Sequence, residues 1–399
     1  MGKYNFEQKI DRHGTRSTKW DMGAQLIEAG MADRFDEDTI SVFTADMDFL
    51  CPPAIVEGMQ KITNQKIYGY TQMDADLEYR DAVCSWHKRR YGWNIKPEEI
   101  TYVNGTLNAM IRAVLSFTKP GDQIVIQRPV YSPFQMVIEN AGRKLLDNHL
   151  KKEENYYTMD LEDLEEKLAD ENTTMMFLCN PHNPVGRVWR MEELNEVCRL
   201  CRKYNIVLVA DEIHADLIRC NETFIPCAMA EEKCTLITCT GINKTFNVAG
   251  LQCTNVIISD EKMRNKYQNE LLAQVGPVVP TPFAIEAVIQ AYTNCDEWLE
   301  EVKEYLDENM RWVEEFLKEK LPKVGFRTPE GTYVIWLDFS AYGTTEEVFH
   351  RLSADANVVM DKGTKYGEEG RIRACIPISR SVLQEMFGRI YTEFGADML

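Results

Sequence analysis

Five short apolar runs constrain the fold of this chain more than any other feature of its sequence. They lie at 123–127, 175–179, 206–210, 235–239 and 255–259. Several are apolar at consecutive positions, which is typical of strands that are covered on both faces of a sheet. Amphipathic segments separate the runs, and one of them carries Leu161, Leu164 and Leu168 at helical spacing. The alternation predicts an α/β fold with a mainly parallel, helix-covered sheet.

A second, smaller unit is predicted towards the end of the chain. A charged segment at 296–321 has apolar residues close to the helical period, and a helix of that length can bridge two domains. Beyond it, segments 333–339, 358–360 and 372–376 indicate strands of a smaller α+β unit. We therefore expect a large domain at 50–290 and a small domain formed by 1–49 and 291–399.

The charge of the chain argues against nucleic-acid and membrane partners. Its 45 basic and 63 acidic residues give a net charge of −18, and so acidic a surface repels phosphate backbones and anionic lipids. The first residues lack the apolar core of a signal peptide, and no segment approaches the roughly 18 apolar residues of a membrane span. We expect a cytoplasmic protein.

The twelve cysteines are scattered, and several lie inside apolar runs, where cysteine behaves as a small hydrophobic residue. Cys198 and Cys201 are the only close pair, and helical spacing places them on one face with Leu194 and Val197. Metal binding or redox chemistry would need a second ligand pair or a strand–helix redox context, and the sequence shows neither. We expect both cysteines in the core, no metal site and a reducing compartment.

Three of the apolar runs are followed by polar groups that together suit one cofactor. Asn183 lies in the Asn-Pro-His-Asn-Pro turn at 180–184, Asp211 ends the next run, and Lys244 follows the third. Pyridoxal phosphate (PLP) needs an amine for covalent attachment, a carboxylate beside its pyridine nitrogen and a donor to its ring oxygen. Because ligands collect beyond the carboxyl ends of strands in open α/β sheets, we expect these groups to meet there.

Each of these residues also has an ordinary structural explanation. Asp211 is placed like a helix N-cap, Asn183 like part of a tight turn, and Lys244 like a surface lysine. The position of Lys244 after a strand, with Asp211 and Asn183 before it in the chain, favours the cofactor site. His214 is either structural or a partner of the ring oxygen, and His182 is expected to be structural.

Two further elements are candidates for holding the phosphate and the ring. Gly105 and Thr106 precede a helix-like run, and free amides at a helix start bind phosphate, although Asn-Gly is also a common turn. Tyr131 either stacks on the ring face or anchors a loop between two prolines. Arg371 and Arg373 lie on the same face of a predicted strand, so periodicity does not choose which of them binds a substrate carboxylate, or whether the pair faces solvent.

Taken together, these motifs resemble the fold-type I PLP-dependent enzymes of the aminotransferase superfamily, in the MalY/PatB branch of cystathionine β-lyase-like proteins. The shared motifs lie at 17–21, 44–49, 68–70, 129–134, 180–187, 211–214, 244–251 and 330–338, with Arg373 beyond them. The resemblance runs nearly from end to end. It implies fold type I, PLP as the cofactor and an L-amino acid as the substrate.

The resemblance also implies individual roles. Lys244 is expected to attach the cofactor and to take the substrate Cα proton, and Arg373, of the two arginines, to bind the α-carboxylate. Tyr70 is expected to reach the cofactor phosphate of a neighbouring subunit, which implies a homodimer with shared active sites. His214 stands where other aminotransferases carry a tyrosine against the ring oxygen, and Ala45 is expected beside the substrate.

The chain departs from the family pattern next to the lysine and after the arginine. Gly241 and Asn243 replace small hydroxyl-bearing or alanine residues, and Asn243 is expected still to donate to the phosphate. The Ala-Cys-Ile-Pro run at 374–377 replaces a small polar run, which changes the expected substrate pocket.

The resemblance favours a carbon–sulfur β-lyase that converts cystathionine or another S-substituted L-cysteine to pyruvate, ammonia and a thiol. An aminotransferase acting on an L-amino acid is the alternative, because one scaffold hosts both chemistries. A regulatory binding protein on the same scaffold is a third hypothesis.

Overall fold

The computed structural model describes residues 2–72, 76–276 and 278–398. The helices are α1 (Thr18–Asp21), α2 (Gly23–Glu28), α3 (Pro53–Gln65), α4 (Leu77–Tyr91), α5 (Thr106–Phe117), α6 (Pro133–Asn140), α7 (Leu161–Leu168), α8 (Met191–Lys203), α9 (Glu261–Val275), α10 (Pro282–Asn294), α11 (Asp296–Lys320), α12 (Thr345–His350) and α13 (Arg380–Phe394). The strands are β1 (Ile40–Ser41), β2 (Ile100–Asn104), β3 (Gln123–Ile126), β4 (Lys144–Asp147), β5 (Lys151–Glu153), β6 (Tyr156–Thr158), β7 (Thr173–Cys179), β8 (Val207–Asp211), β9 (Thr235–Thr240), β10 (Cys253–Ile257), β11 (Val334–Asp338), β12 (Val358–Val359), β13 (Asp361–Lys362) and β14 (Arg371–Cys375).

The central sheet has seven strands in the order β2-β10-β9-β8-β7-β3-β4. The strands from β9 to β4 pair in parallel, and β10 runs antiparallel to both of its neighbours. The predicted mainly parallel sheet is therefore confirmed.

Neighbouring residues of the central strands pack into different cores. Phe177 and Val209 join the core that also contains residues of α5 and α6, whereas Leu178 and Leu208 join the core beneath α7 and α8. This arrangement explains why the runs are apolar at consecutive positions, since both faces of the sheet are buried.

A second core surrounds the antiparallel sheet β11-β14-β13 and the parallel pair β1-β12. Helix α11 packs against two different cores. Its first half, with Trp298 and Leu306, packs against the core that contains residues of α4 and α10, and its second half, with Met310 and Leu317, packs in the second core. Within the described ranges, no helix has the length and apolarity needed to cross a membrane.

The cysteine pair of α8 is buried, as predicted: Cys198 is 1% and Cys201 0% exposed. Cys227 Sγ lies 3.9 Å from Cys198 Sγ, a contact that was not predicted from the sequence. The fold brings this cysteine in from a turn that the sequence spacing does not connect with α8. Among the residues that the structure describes, no group of three or more His, Cys, Asp or Glu side chains is suited to hold a metal ion.

Candidate active site at the carboxyl edge of the central sheet

The three strand ends singled out in the sequence are neighbours in the structure. Cys179 at the end of β7 pairs with Asp211 at the end of β8, and Asp211 pairs with Cys239 near the end of β9. The Asn-Pro turn after β7, the carboxylate of Asp211 and the turn leading to Lys244 therefore leave the same edge of the sheet side by side.

Lys244 is partly buried, and its amine contacts the N-terminal segment. Its Nζ donates to the carbonyl oxygen of Ala45 at 2.7 Å, and the hydroxyl of Tyr333 donates to the same oxygen at 2.9 Å. Burial lowers the pKa of Lys244; nearby Arg373 adds to this effect, while Cys375 opposes it. A lowered pKa increases the neutral fraction of the amine, which is the form that accepts a proton or attacks a carbonyl carbon.

Two buried side chains fix the turn that carries Lys244. Thr245 donates through its hydroxyl to Asp216 at 2.8 Å, and Asp216 also accepts from Trp86 Nε1 at 3.0 Å and from the hydroxyl of Tyr91. A buried carboxylate with three donors anchors the turn against α4.

Asn247 joins the same turn to the N-terminal segment. Its Oδ1 accepts from the Met47 amide at 2.9 Å, and its Nδ2 donates to the carbonyls of Met47 and Phe49 at 3.0 and 2.8 Å. The amide therefore holds the backbone just beyond Ala45 against the lysine turn.

The two departures from the family pattern, Gly241 and Asn243, have a common structural reason. A Cβ atom at Gly241 would lie 2.4 Å from the carbonyl oxygen of Cys253, so the turn approaches β10 too closely for a side chain there. Asn243 donates through Nδ2 to that same oxygen at 2.7 Å and accepts from the Cys253 amide at 2.9 Å. These two hydrogen bonds give Asn243 a structural role that was not predicted. Its donation to a phosphate stays a prediction.

Asp211 is 4% exposed and accepts one backbone hydrogen bond, from the Ile213 amide at 3.3 Å. Burial raises the pKa of Asp211 to about 7, against smaller lowering effects from the Ile213 amide and from Lys244. A cation placed against this carboxylate would stabilise its charged form.

Asn183 and His214 present buried polar atoms to the same region. In the described part of the chain, Asn183 Oδ1 and His214 Nδ1 lack hydrogen-bond partners. Burial, with Lys244 and then Arg373, lowers the pKa of His214 to about 3, so the imidazole is neutral. His182 is buried too, and its Nδ1 also lacks a partner among the described residues. Its Nε2 lies 2.9 Å from the Pro129 carbonyl oxygen, and this contact agrees with the predicted structural role.

The start of α5 has the backbone expected of a phosphate-binding turn. Gly105 has φ = 92° and precedes the first helical residue, Thr106, whose hydroxyl lies 3.1 Å from that of Thr254. This φ lies in the left-handed region that residues with a side chain rarely adopt, so the turn favours glycine at position 105. Tyr131 is partly buried; burial and then Asp211 raise its pKa to about 12, with Arg373 acting in the opposite direction.

The structure separates the two arginines that periodicity left equivalent. Arg371 is occupied by three partners: Asp338 at 3.0 Å, Glu368 at 3.3 Å and Asn155 Oδ1 at 2.9 Å. Its guanidinium therefore joins β14 to the end of β11 and to two neighbouring loops.

Arg373 has fewer partners and stands near the lysine. Its Nη2 donates to Asp361 at 2.8 Å and to the carbonyl of Phe43, and its buried Nε lacks a hydrogen-bond partner within the described residues. Its charge acts on the pKa of both Lys244 and His214. Arg373 is thus the arginine that the fold places with the sheet-edge residues.

A buried ion cluster supports the segment that contains Ala45. Lys19 is fully buried and lies 3.2 Å from Asp46 Oδ1 and 2.9 Å from Asp48 Oδ2. Arg12 contacts the same carboxylates, at 2.9 and 2.8 Å. Lys19, Asp46 and Asp48 all belong to motifs that carried the family resemblance, but their contact with one another was not predicted from the sequence.

The structure does not bring Tyr70 into this group, because its side chain is fully exposed in the single chain. The reasoning from sequence missed Tyr333, Asp216 and Asn247. Tyr333 and Asn247 lie inside the motifs at 330–338 and 244–251, and membership of those motifs was the signal that could have identified them.

Comparison with known proteins agrees with this geometry. The family described as aminotransferase class I and II matches residues 38–390. The chain belongs to this family. Among the curated proteins, cystathionine beta-lyase PatB of Bacillus subtilis is 40% identical over 391 residues, covering 97% of this chain and 98% of the relative. Protein MalY of Escherichia coli is 28% identical over 370 residues, 92% of each chain.

Solved structures confirm the fold-type I architecture. Cystalysin from Treponema denticola, which contains PLP, matches with a TM-score of 0.92 and 32% identity, covering 99% of this chain and all of that one (100%). The PLP-bound C-S lyase from Staphylococcus hominis matches with a TM-score of 0.89 and 30% identity over 98% of both chains. The predicted resemblance to the MalY/PatB branch is confirmed by these relatives.

Proposed function

We propose that the protein is a PLP-dependent carbon–sulfur β-lyase that cleaves cystathionine or related S-substituted L-cysteines to pyruvate, ammonia and a thiol. The observation that carries the proposal is the meeting of Lys244, Asp211 and Arg373 around one sheet edge. Relatives named as cystathionine beta-lyase and C-S lyase support the choice of reaction over transamination.

The residues at the sheet edge fit PLP. Asp211 is a buried carboxylate with a raised pKa, as expected of a group whose cationic partner is the pyridine nitrogen. Asn183 and His214 lie buried at the same edge, and the Nδ2 of the Asn183 amide is the donor suited to the ring oxygen. Gly105 and the first amides of α5 suit the phosphate. When bound, PLP supplies an electron-accepting ring that stabilises negative charge on the substrate Cα.

Lys244 has two tasks in this proposal. It would hold the cofactor covalently, and its amine, when free, would take the proton from the substrate Cα as general base. The Ala45 carbonyl accepts a hydrogen bond from Nζ and so holds the amine at a fixed place. Loss of the thiolate from Cβ follows, and hydrolysis of the remaining fragment gives pyruvate and ammonia.

Arg373 binds the substrate α-carboxylate. Asp361 and the Phe43 carbonyl hold one end of its guanidinium, which leaves Nε for an incoming carboxylate. The Asp361 contact fixes the orientation of the guanidinium plane, and this orientation determines where the substrate Cα lies relative to Lys244.

A homodimer with shared active sites completes the proposal, with Tyr70 of one protomer reaching the phosphate site of its partner. Large apolar side chains between residues 50 and 77 are exposed, including Leu50 at 61%, Ile67 at 75% and Leu77 at 65%. An exposed apolar surface of this kind is typical of a subunit interface. We place the enzyme in the reducing cytoplasm, where its twelve free thiols are stable.

Mixing of inactive variants tests the shared site. Lys244→Ala and Tyr70→Ala subunits each lack one group, but a heterodimer contains one site with both. Unfolding and refolding an equal mixture should restore about a quarter of the wild-type activity, because half of the dimers then carry one intact site of two. Activity that stays at the level of the separate variants contradicts the shared site.

Pyruvate release from L-cystathionine, with PLP bound and no keto acid added, tests the reaction. We expect pyruvate in large molar excess over enzyme, together with one ammonia for each pyruvate. If no pyruvate forms without a keto acid, and turnover begins once a keto acid is supplied, the protein is an aminotransferase and the lyase proposal fails.

A further inference from the structure

A buried tyrosine shares the hydrogen-bond acceptor of Lys244. The Ala45 carbonyl oxygen accepts from Lys244 Nζ at 2.7 Å and from the Tyr333 hydroxyl at 2.9 Å. Tyr333 is buried, and its ring lies edge-on against that of His214, with 5.7 Å between the two ring centroids. A carbonyl oxygen offers two lone-pair directions, so with the tyrosine in one of them the amine is confined to the other.

The backbone that presents Tyr333 is held in a conformation that needs support. Thr332 is buried and has φ = 69°, in the left-handed region that residues with a side chain rarely adopt. Arg219 holds this turn at two points: its Nη2 donates to the Thr332 carbonyl at 2.7 Å, and its backbone amide donates to the Glu330 carbonyl at 2.9 Å. Strain of this kind persists only where surrounding contacts impose it, and it is concentrated at functional sites. The strained turn therefore indicates a role for Tyr333 beyond packing.

A second buried tyrosine has the same relation to Arg373. Asp361 Oδ2 accepts from Arg373 Nη2 at 2.8 Å and from the Tyr366 hydroxyl at 2.7 Å. Asp361 lies opposite Arg373 in the pairing of β13 with β14, and its Oδ1 accepts from Lys365 Nζ at 3.1 Å. The guanidinium carbon of Arg373 lies over the Tyr366 ring, 4.9 Å from the centroid. Tyr366 therefore contacts the arginine directly and also through the carboxylate that orients it.

We propose that these two tyrosines are positioning residues with separate tasks in the proposed reaction, on which their roles rest. Tyr333 fixes the free amine of Lys244 for removal of the substrate proton. Tyr366 fixes the guanidinium of Arg373 for binding of the substrate carboxylate. In each case the hydroxyl holds the oxygen to which the cation is bound. Loss of the hydroxyl leaves the ring in place but frees that oxygen, and a reacting group misplaced by about 1 Å can cost about 100-fold in rate.

Phenylalanine variants test the two roles, because they remove only the hydroxyl. Tyr333→Phe and Tyr366→Phe are compared with Tyr267→Phe, since Tyr267 is a buried tyrosine of α9 whose hydroxyl donates to the Ala109 carbonyl at 3.1 Å. Pyruvate release from L-cystathionine gives kcat and KM for each PLP-loaded protein. The rate at which PLP attaches to each cofactor-free protein, followed by visible absorbance, reports on the Lys244 amine without any turnover. Thermal unfolding verifies that each variant is folded.

We expect the two site variants to affect different kinetic constants. Tyr333→Phe should lower kcat about tenfold and slow PLP attachment by a similar factor, with KM changed less than about twofold. Tyr366→Phe should raise KM about tenfold, with kcat and the attachment rate changed less than about twofold. Tyr267→Phe should match the wild type in all three quantities.

The same pattern of changes in Tyr333→Phe and Tyr366→Phe overturns the proposal. So do a wild-type kcat and attachment rate in Tyr333→Phe, an unchanged KM in Tyr366→Phe, or slowed attachment in Tyr267→Phe. If the wild type releases no pyruvate, the lyase function fails, but the attachment rates remain decisive. Attachment that is slowed in Tyr333→Phe and not in Tyr366→Phe supports the separate roles even then, and equal rates in the two variants contradict them.

Discussion

The carboxyl edge of the central sheet and the covering segment, which comprises residues 43–49 and strand β14, are assembled in different ways. At the sheet edge, Asp211 is held by strand register, since its neighbours on β7 and β9 are fixed by backbone pairing. The covering segment reaches the site by long-range contacts: Lys244 bonds to Ala45, 199 residues away, and Arg373 to Phe43, 330 residues away. The difference indicates that the chemical groups are set by the sheet, while substrate binding depends on packing between distant parts of the chain.

The strongest test of the sheet edge is removal of Lys244. Lys244→Ala should abolish covalent attachment of the cofactor and lower kcat by about 10⁴-fold or more, since general bases alone contribute up to about that factor. The exposed Lys262→Ala is the control and should behave as wild type. Visible absorbance and pyruvate release measure the two effects. Substantial turnover in Lys244→Ala would mean that another group does this chemistry.

The pH dependence of stability tests the environment of Asp211. Burial raises the pKa of Asp211 from 3.8 to about 7 in the cofactor-free protein. A raised folded-state pKa means that this contribution to stability is full below pH 4 and is lost as the pH rises through 7. The loss is on the order of 4 kcal/mol, because one pKa unit is about 1.4 kcal/mol.

Urea unfolding of the cofactor-free wild type and of Asp211→Asn, between pH 4 and 8, measures this loss. The wild type should lose more stability than the variant across the range, because asparagine does not titrate. Parallel curves for the two proteins contradict the assigned environment of Asp211.

The covering segment is tested by exchanging each arginine of β14 for lysine. Arg373→Lys should raise KM by about 30-fold or more, because lysine loses the planar donor pair. Arg371→Lys should instead lower stability, because it removes the fixed contacts to Asp338, Glu368 and Asn155. Equal effects of the two variants on KM contradict the separation of their roles.

The contact between the two regions is tested at Asn247. Asn247→Ala removes three hydrogen bonds to Met47 and Phe49 and should cost about 2 kcal/mol of unfolding free energy, since such bonds contribute about 1 kcal/mol each or less. Asn172→Ala, on the surface, is the control for loss of an asparagine. Calorimetry measures both variants, and indistinguishable melting temperatures would show that the hydrogen bonds of Asn247 contribute nothing to stability.

The sequence predicted more of the site residues at the sheet edge than in the covering segment. Lys244, Asp211 and Asn183 were identified because each follows a strand, and the parallel order of the strands brings their ends together. The alternation of β14 was unable to distinguish Arg371 from Arg373, because the distinction lies in their partners outside β14. The pairing of Cys227 with Cys198 was missed for the same reason: only the folded chain brings that turn to α8.

Asn243 shows the limit of a motif even at the sheet edge. Its place before Lys244 predicted a phosphate donor, whereas the fold engages its amide with the backbone of Cys253, beside the glycine at 241. Which backbone lies against a turn is set by the neighbouring antiparallel strand β10, and a local pattern does not contain that information.

Reduction of the PLP-loaded protein with borohydride, followed by tryptic mapping, tests the central claim that the cofactor is attached at this sheet edge. Reduction fixes the cofactor on its lysine and blocks trypsin there. We predict one pyridoxyl group per chain, on an uncut peptide that spans residues 234–262 and contains Lys244. A label on any other lysine, with cleavage after Lys244 intact, contradicts the account.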